Sequence, residues 1–202
     1  MQEFRLSCAE FRQIRARISA FLLFMVVLTG CEAADDETPA PAPTPAPKQA
    51  LVADCGPAGF VRTELFGALT GKIEWDAAQV ICEGMPRPDE DGARLRFAGT
   101  VAEEYELAFI IALPGLRRGE TGKELHSTVT IIEEGAGRFF SNASQDTCWT
   151  DILGLEALPG SPSQFAIRGA LYCVAPLAEV NGDSDITVGD FHFRGLLDWE
   201  AS

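Results

Sequence analysis

An all-β fold, an antiparallel sandwich of two sheets with about eight strands, is predicted for residues 51–202 by three observations. Apolar residues recur with period two, as in Arg94-Leu95-Arg96-Phe97 and Thr128-Val129-Thr130-Ile131-Ile132. Turn chemistry separates these segments: Pro86-Arg87-Pro88-Asp89-Glu90-Asp91-Gly92, Gly135-Ala136-Gly137 and Asn181-Gly182-Asp183. Four cysteines, Cys55, Cys82, Cys148 and Cys173, supply an even number of thiols for a small exported domain. The bulk composition, 47% hydrophobic and 23% charged with a mean hydropathy of +0.06, is that of a globular protein and excludes collagen, coiled coil and wholesale disorder. A domain of this size buries roughly two thirds of its unfolded surface.

Residues 1–30 form the first segment. Arg12, Arg15 and Arg17 precede an eleven-residue apolar run from Ile18 to Leu28, the length of a signal-peptide hydrophobic region and about half a membrane span. The run ends in Leu28-Thr29-Gly30-Cys31. An aliphatic residue, two small residues and a cysteine resemble the lipobox of bacterial lipoproteins. That resemblance implies that residues 1–30 are a lipoprotein signal peptide removed by the lipoprotein-processing machinery. It also implies that the Cys31 thiol accepts a diacylglyceryl group and becomes the acylated first residue of the mature chain. Each buried methylene contributes roughly 0.8 kcal/mol, so several chains on one residue hold a protein at the bilayer. In the best-studied Gram-negative bacteria an Asp after the lipidated Cys favours inner-membrane retention. Glu32 stands there instead, which points to the outer membrane, on its periplasmic side.

Residues 31–50 comprise the lipidated Cys and an Ala/Pro-rich linker. Proline at 39, 41, 43, 45 and 47 removes backbone donors and holds the chain near polyproline II, a semi-rigid spacer of about 3.1 Å per residue. Charge divides along the same lines. Residues 1–30 hold four arginines against two glutamates, leaving 12 basic and 28 acidic residues and a net charge of −16. Such a surface is repelled by phosphate backbones, and no basic cluster exceeds the pair Arg117-Arg118, so nucleic acid is excluded as a partner.

Within 51–202 the cysteines pair in one of three ways. Cys55 with Cys82 and Cys148 with Cys173 is favoured, because each closes a loop of about 26 residues and contributes roughly 3 kcal/mol on the chain-entropy model. No two of them have metal-ligand spacing, so no metal and no cofactor is expected. Residues 58–68 read either as strand or as a short helix, since Val61, Leu65 and Leu69 share a helical face. Strands follow at 69–75, 79–83, 94–101, 106–113, 128–132, 138–142, 164–174 and 186–199. An apolar-x-Gly unit recurs in Leu69-Thr70-Gly71, Phe97-Ala98-Gly99, Ile167-Arg168-Gly169 and Phe193-Arg194-Gly195. Glycine inside a strand costs packing area, so its repetition predicts bulges or close approach of one sheet to another. A rival reading makes those glycines the floor of a sugar-binding groove walled by Trp75 or Trp199.

Chemistry is thinly signalled. Asp190, His192 and Arg194 share one face of the last strand, and His126 adjoins Ser127, but a nucleophile and its base meet across a fold rather than as sequence neighbours. Asn181, Asp183 and Asp185 alternate oxygens as calcium ligands do, yet no bidentate Glu follows at the right spacing, and they read as a hairpin turn. No catalytic residue is assigned. The expectation is a lipid-anchored, non-enzymatic interaction or assembly module of the cell envelope, with an envelope protein or glycan as partner. The alternative is an envelope hydrolase or a carbohydrate-binding accessory.

Overall fold

The computed structural model describes residues 55–88, 91–102 and 104–201. The expected signal peptide (residues 1–30), Cys31 and the Ala/Pro-rich stretch lie outside the described residues. The domain is all-β, with every strand pair antiparallel. Its strands are β1 (Phe60–Gly67), β2 (Gly71–Asp76), β3 (Ile81–Pro86), β4 (Ala93–Val101), β5 (Tyr105–Leu113), β6 (Gly122–His126) and β7 (Thr128–Glu133). They continue with β8 (Arg138–Ser141), β9 (Cys148–Leu158), β10 (Ser161–Cys173), β11 (Leu177–Glu179), β12 (Asp185–Val188) and β13 (Phe191–Asp198).

The hydrogen bonding differs from the expected pair of separate sheets. One sheet runs β3-β4-β5-β7-β8-β11-β12-β1-β13-β10-β9-β6, with β2 added on β1. The link is made by β11 and β12, three and four residues long, which join β8 to β1 and are too short for a periodicity to reveal. Thirteen strands replace about eight for definite reasons. The stretch 186–199 breaks into β12 and β13 at Gly189, whose N–H bonds Glu64 O at 2.8 Å, so the two halves pair with different parts of β1. β6 is polar, and β9 loses its alternation at a bulge. Residues 60–67 are a strand: Val61, Thr63 and Leu65 are buried in alternation, and the i, i+4 spacing of Val61 and Leu65 fits period two as well as a helix.

Aromatic rings fill the space between the two arms of the sheet. Phe97 of β4 meets Phe193 of β13 with centroids 5.3 Å apart, Phe109 of β5 meets Phe191 of β13 at 5.1 Å, and Trp75 of β2 meets Phe109 at 5.8 Å. The repeated glycines make this possible. A Cβ on Gly99 would stand 2.8 Å from the Trp75 ring, one on Gly195 2.8 Å from Phe97, and one on Gly169 2.5 Å from Phe193. Three of the four apolar-x-Gly units are therefore seats for core rings, as the close-approach reading expects, while Gly71 instead faces Val101. Both disulfides have the favoured connectivity. Cys55–Cys82 ties the segment before β1 to β3 with Cα atoms 4.9 Å apart, and Cys148–Cys173 joins directly opposed residues of β9 and β10 at 4.1 Å.

Candidate functional site: an aromatic and cationic sheet face

The outer face of β6, β9, β10, β13, β1 and β2 carries the site, and strand register determines its order. In a first row across β6, β9 and β10, His126 opposes Trp149 and Trp149 opposes Tyr172. Their rings form a ladder, His126 to Trp149 at 5.7 Å and Trp149 stacked on Tyr172 at 5.7 Å and 24°. A second row crosses β9, β10, β13, β1 and β2 as Asp151, Ala170, His192, Arg62 and Glu74. A third reads Gly154, Arg168, Arg194, Phe60 and Asp76. The first and third rows are four residues apart along a strand, about 13 Å.

The bulge in β9 shapes the middle of this face. Cys148, Thr150 and Ile152 point inward, but the next inward residue is Leu155, so the extra residue turns Leu153 outward, where it stays 45% exposed. Leu153, Phe60, Arg62, Arg168 and His192 surround a hollow of about 240 Å³ floored by Gly169. No carboxylate among the described residues lines it. The Arg62 guanidinium lies 5.1 Å from the centroid of the Phe60 ring, which holds it over the sheet. An adjoining hollow of about 440 Å³ shares Arg62 and His192 and adds Lys72 with the acids Glu64, Glu74 and Asp190. Lys72 is already paired there with Glu74 at 3.0 Å.

Arg62, Arg168 and Arg194 have no carboxylate of the described residues within ion-pair distance. Two other arginines, Arg96 and Arg138, are neutralised. Arg96 binds Glu134 at 2.5 Å and lies 3.7 Å from Glu83, while Arg138 binds Glu179 at 2.9 Å and Glu133 at 3.3 Å. The Arg138 and Ser184 hydrogen bonds hold the Glu179 carboxyl down at about 2, well below the ordinary carboxylate range. Next to the ring ladder, Asp151 accepts the Glu124 N–H at 2.7 Å, and the Tyr172 hydroxyl is pushed up by desolvation and by the charges of Glu124 and Asp151.

The sequence candidates are distributed unevenly over this arrangement. His192 lines both hollows, Arg194 is its neighbour on the same face, and Asp190 lines the larger hollow, yet no hydrogen bond joins the three among the described residues. His192 has Ala170 and Arg62 as cross-strand neighbours. His126 and Ser127 face opposite ways: His126 is exposed against Trp149, while Ser127 is buried and shares a 2.7 Å hydrogen bond with Thr150 Oγ1. Asn181 takes a left-handed φ of 62° between β11 and β12, which pair as a hairpin. Trp75 is a core residue whose Nε1 donates to Thr100 O at 2.7 Å, and Trp199 packs partly buried against the core, so neither walls a groove. This face instead presents half-buried Trp149 and exposed Tyr172, which sequence reasoning passed over. Their signal was available in kind: both adjoin a cysteine, and Cys148–Cys173 fixes the register that stacks them.

No protein-family model, curated protein or solved structure matches this chain.

Proposed function

We propose that the protein is a lipid-anchored, non-enzymatic binding module of the cell envelope. Acyl chains on Cys31 would hold it at the outer membrane facing the periplasm, and residues 31–50 would space the domain from the bilayer. The observation that carries the binding reading is the aromatic ladder His126–Trp149–Tyr172 beside unneutralised arginines on one open sheet face. Exposed rings and cations brought together by register are the chemistry of recognition. Both histidines belong to this surface: the His126 ring lies tilted against Trp149, and His192 stands between Arg62 and Ala170. We also read the sheet as working as a two-layer sandwich, an interpretation supported by the ring contacts of β4 and β5 with β13.

The anchor is tested by growing cells with labelled palmitate. The wild-type chain should take up label and Cys31→Ser should not, remaining at its uncleaved length; label persisting in the serine variant overturns the lipobox reading. The module is tested by placing a photo-crosslinker at position 149 in intact cells. Capture of an envelope component, lost when the crosslinker is moved to exposed Val174 beyond β10, supports it.

A further inference from the structure

The hollow over Gly169 is built against the charge of its own domain. From Cys31 onward the chain carries a net charge of −16, so acids are available to neutralise almost every cation, as they do at Arg96 and Arg138. Arg168 and Arg194 instead stand directly opposite each other on β10 and β13, and Arg62 follows on β1 one row away. Opposed like charges destabilise a sheet, and no carboxylate of the described residues lies within ion-pair distance of Arg168 or Arg194, whereas Arg62 has Glu74 opposite it on β2. The arrangement gains a rationale when an anion from outside completes it.

We propose that this face binds a linear acidic glycan, a chain of sugars bearing carboxylates. Arg168, Arg194 and Arg62 would take the carboxylates, because a guanidinium offers a planar fork that matches a carboxylate with two parallel hydrogen bonds. Trp149 and Tyr172 offer flat apolar surfaces, about 13 Å along the strands from the arginine row, on which the CH face of a sugar ring packs. Between them on β10 stands the small Ala170, with Asp151 opposite it on β9, and Leu153 and Phe60 wall the hollow where the chain would cross. Denser anions fit less well. A polyphosphate or an anionic bilayer presents closely spaced negative charge that the surrounding acidic surface repels, whereas a carboxylated glycan alternates charge with apolar sugar faces. The proposal rests on the binding-module reading and supplies its ligand class.

The full chain, purified in detergent, is titrated calorimetrically with oligogalacturonate, with a neutral cello-oligosaccharide and with inorganic polyphosphate. Oligogalacturonate should bind, more weakly as salt rises, and the neutral chain should bind at least about tenfold less tightly. Arg168→Gln/Arg194→Gln should lose about tenfold or more in affinity for oligogalacturonate. Its melting temperature should be unchanged or higher, because a like-charge pair has been relieved. Arg94→Gln, on the outer face of β4, should bind as the wild type does. Tighter binding of polyphosphate, equal binding of the neutral chain, an unaffected double variant, or no oligogalacturonate binding at millimolar concentration overturns the proposal. Capture through position 149 in cells would then leave the binding-module reading standing with another ligand, and loss of both would remove it.

Discussion

At the scale of single residues, the energetics turn on where a side chain is absent and where a charge is held. Gly169 faces inward beneath Phe193, and a Cβ there would stand 2.5 Å from Phe193 Cζ and 2.8 Å from Asp151 O. One of these neighbours is backbone and cannot swing away, so Gly169→Ala should destabilise by about 1–3 kcal/mol, the usual cost of overpacking. Urea unfolding measures it, and a change below about 0.5 kcal/mol would mean that the ring is not seated on that glycine. Glu179 gives the pH dependence. Its carboxyl is held at about 2 by Arg138 and Ser184, below its ordinary value of 4.5. A depressed folded-state pKa stabilises the folded protein above the unfolded value, and that contribution is lost as the pH falls from about 4.5 toward 2. Glu179→Gln should therefore be less stable than the wild type at pH 7, with the gap closing by pH 2. A gap independent of pH would show that the charge is not what matters.

At the scale of elements, β9 holds the most information. Its inward residues Cys148, Thr150, Ile152 and Leu155 depart from period two by a single residue, and that residue is Leu153. Deleting Leu153 would leave Gly154 outward and Leu155 inward in unbroken alternation. The variant should keep the β9–β10 pairing and the Cys148–Cys173 disulfide while losing one wall of the hollow. Thermal unfolding with non-reducing peptide mapping checks the first part; failure to form that disulfide would show that the bulge is required for register. The ladder on the same strands depends on this register too. Trp149 meets Tyr172 and His126 because each opposes it across a strand pair, which makes the ladder a property of three strands together.

At the scale of the whole molecule, a single sheet must turn over on itself to bury Phe97, Phe109, Phe191 and Phe193 against one another. Cys55–Cys82 fastens that closure, since Cys82 lies in β3, at one end of the hydrogen-bonded order, and Cys55 precedes β1, near its middle. Replacing both cysteines of that pair by Ala should cost about 2–4 kcal/mol by chemical denaturation, as loop-closure entropy predicts for 27 residues. The ring contacts between β4 and β13 remain without it, so the variant should still fold. An unfolded variant at neutral pH and room temperature would show that the closure depends on the covalent link.

The sequence by itself determined the class of the fold and eight of its strand-forming stretches, favoured the disulfide pairing, and offered close approach as one of two roles for the recurring glycines. Each of these is written in local periodicity, in turn residues or in spacing along the chain. It left β1 open between helix and strand, because Val61 and Leu65 satisfy both periods and only the burial of Thr63 between them decides. It passed over β6, β9 and β11, which are polar, bulged or three residues long. Only the tertiary structure decided that a single sheet runs through all thirteen strands, because that continuity depends on short pairings between segments distant in sequence. The candidate site has the same origin. Arg62, Trp149, Arg168, Tyr172 and Arg194 are scattered along the chain and form one surface through cross-strand register, which no local pattern encodes.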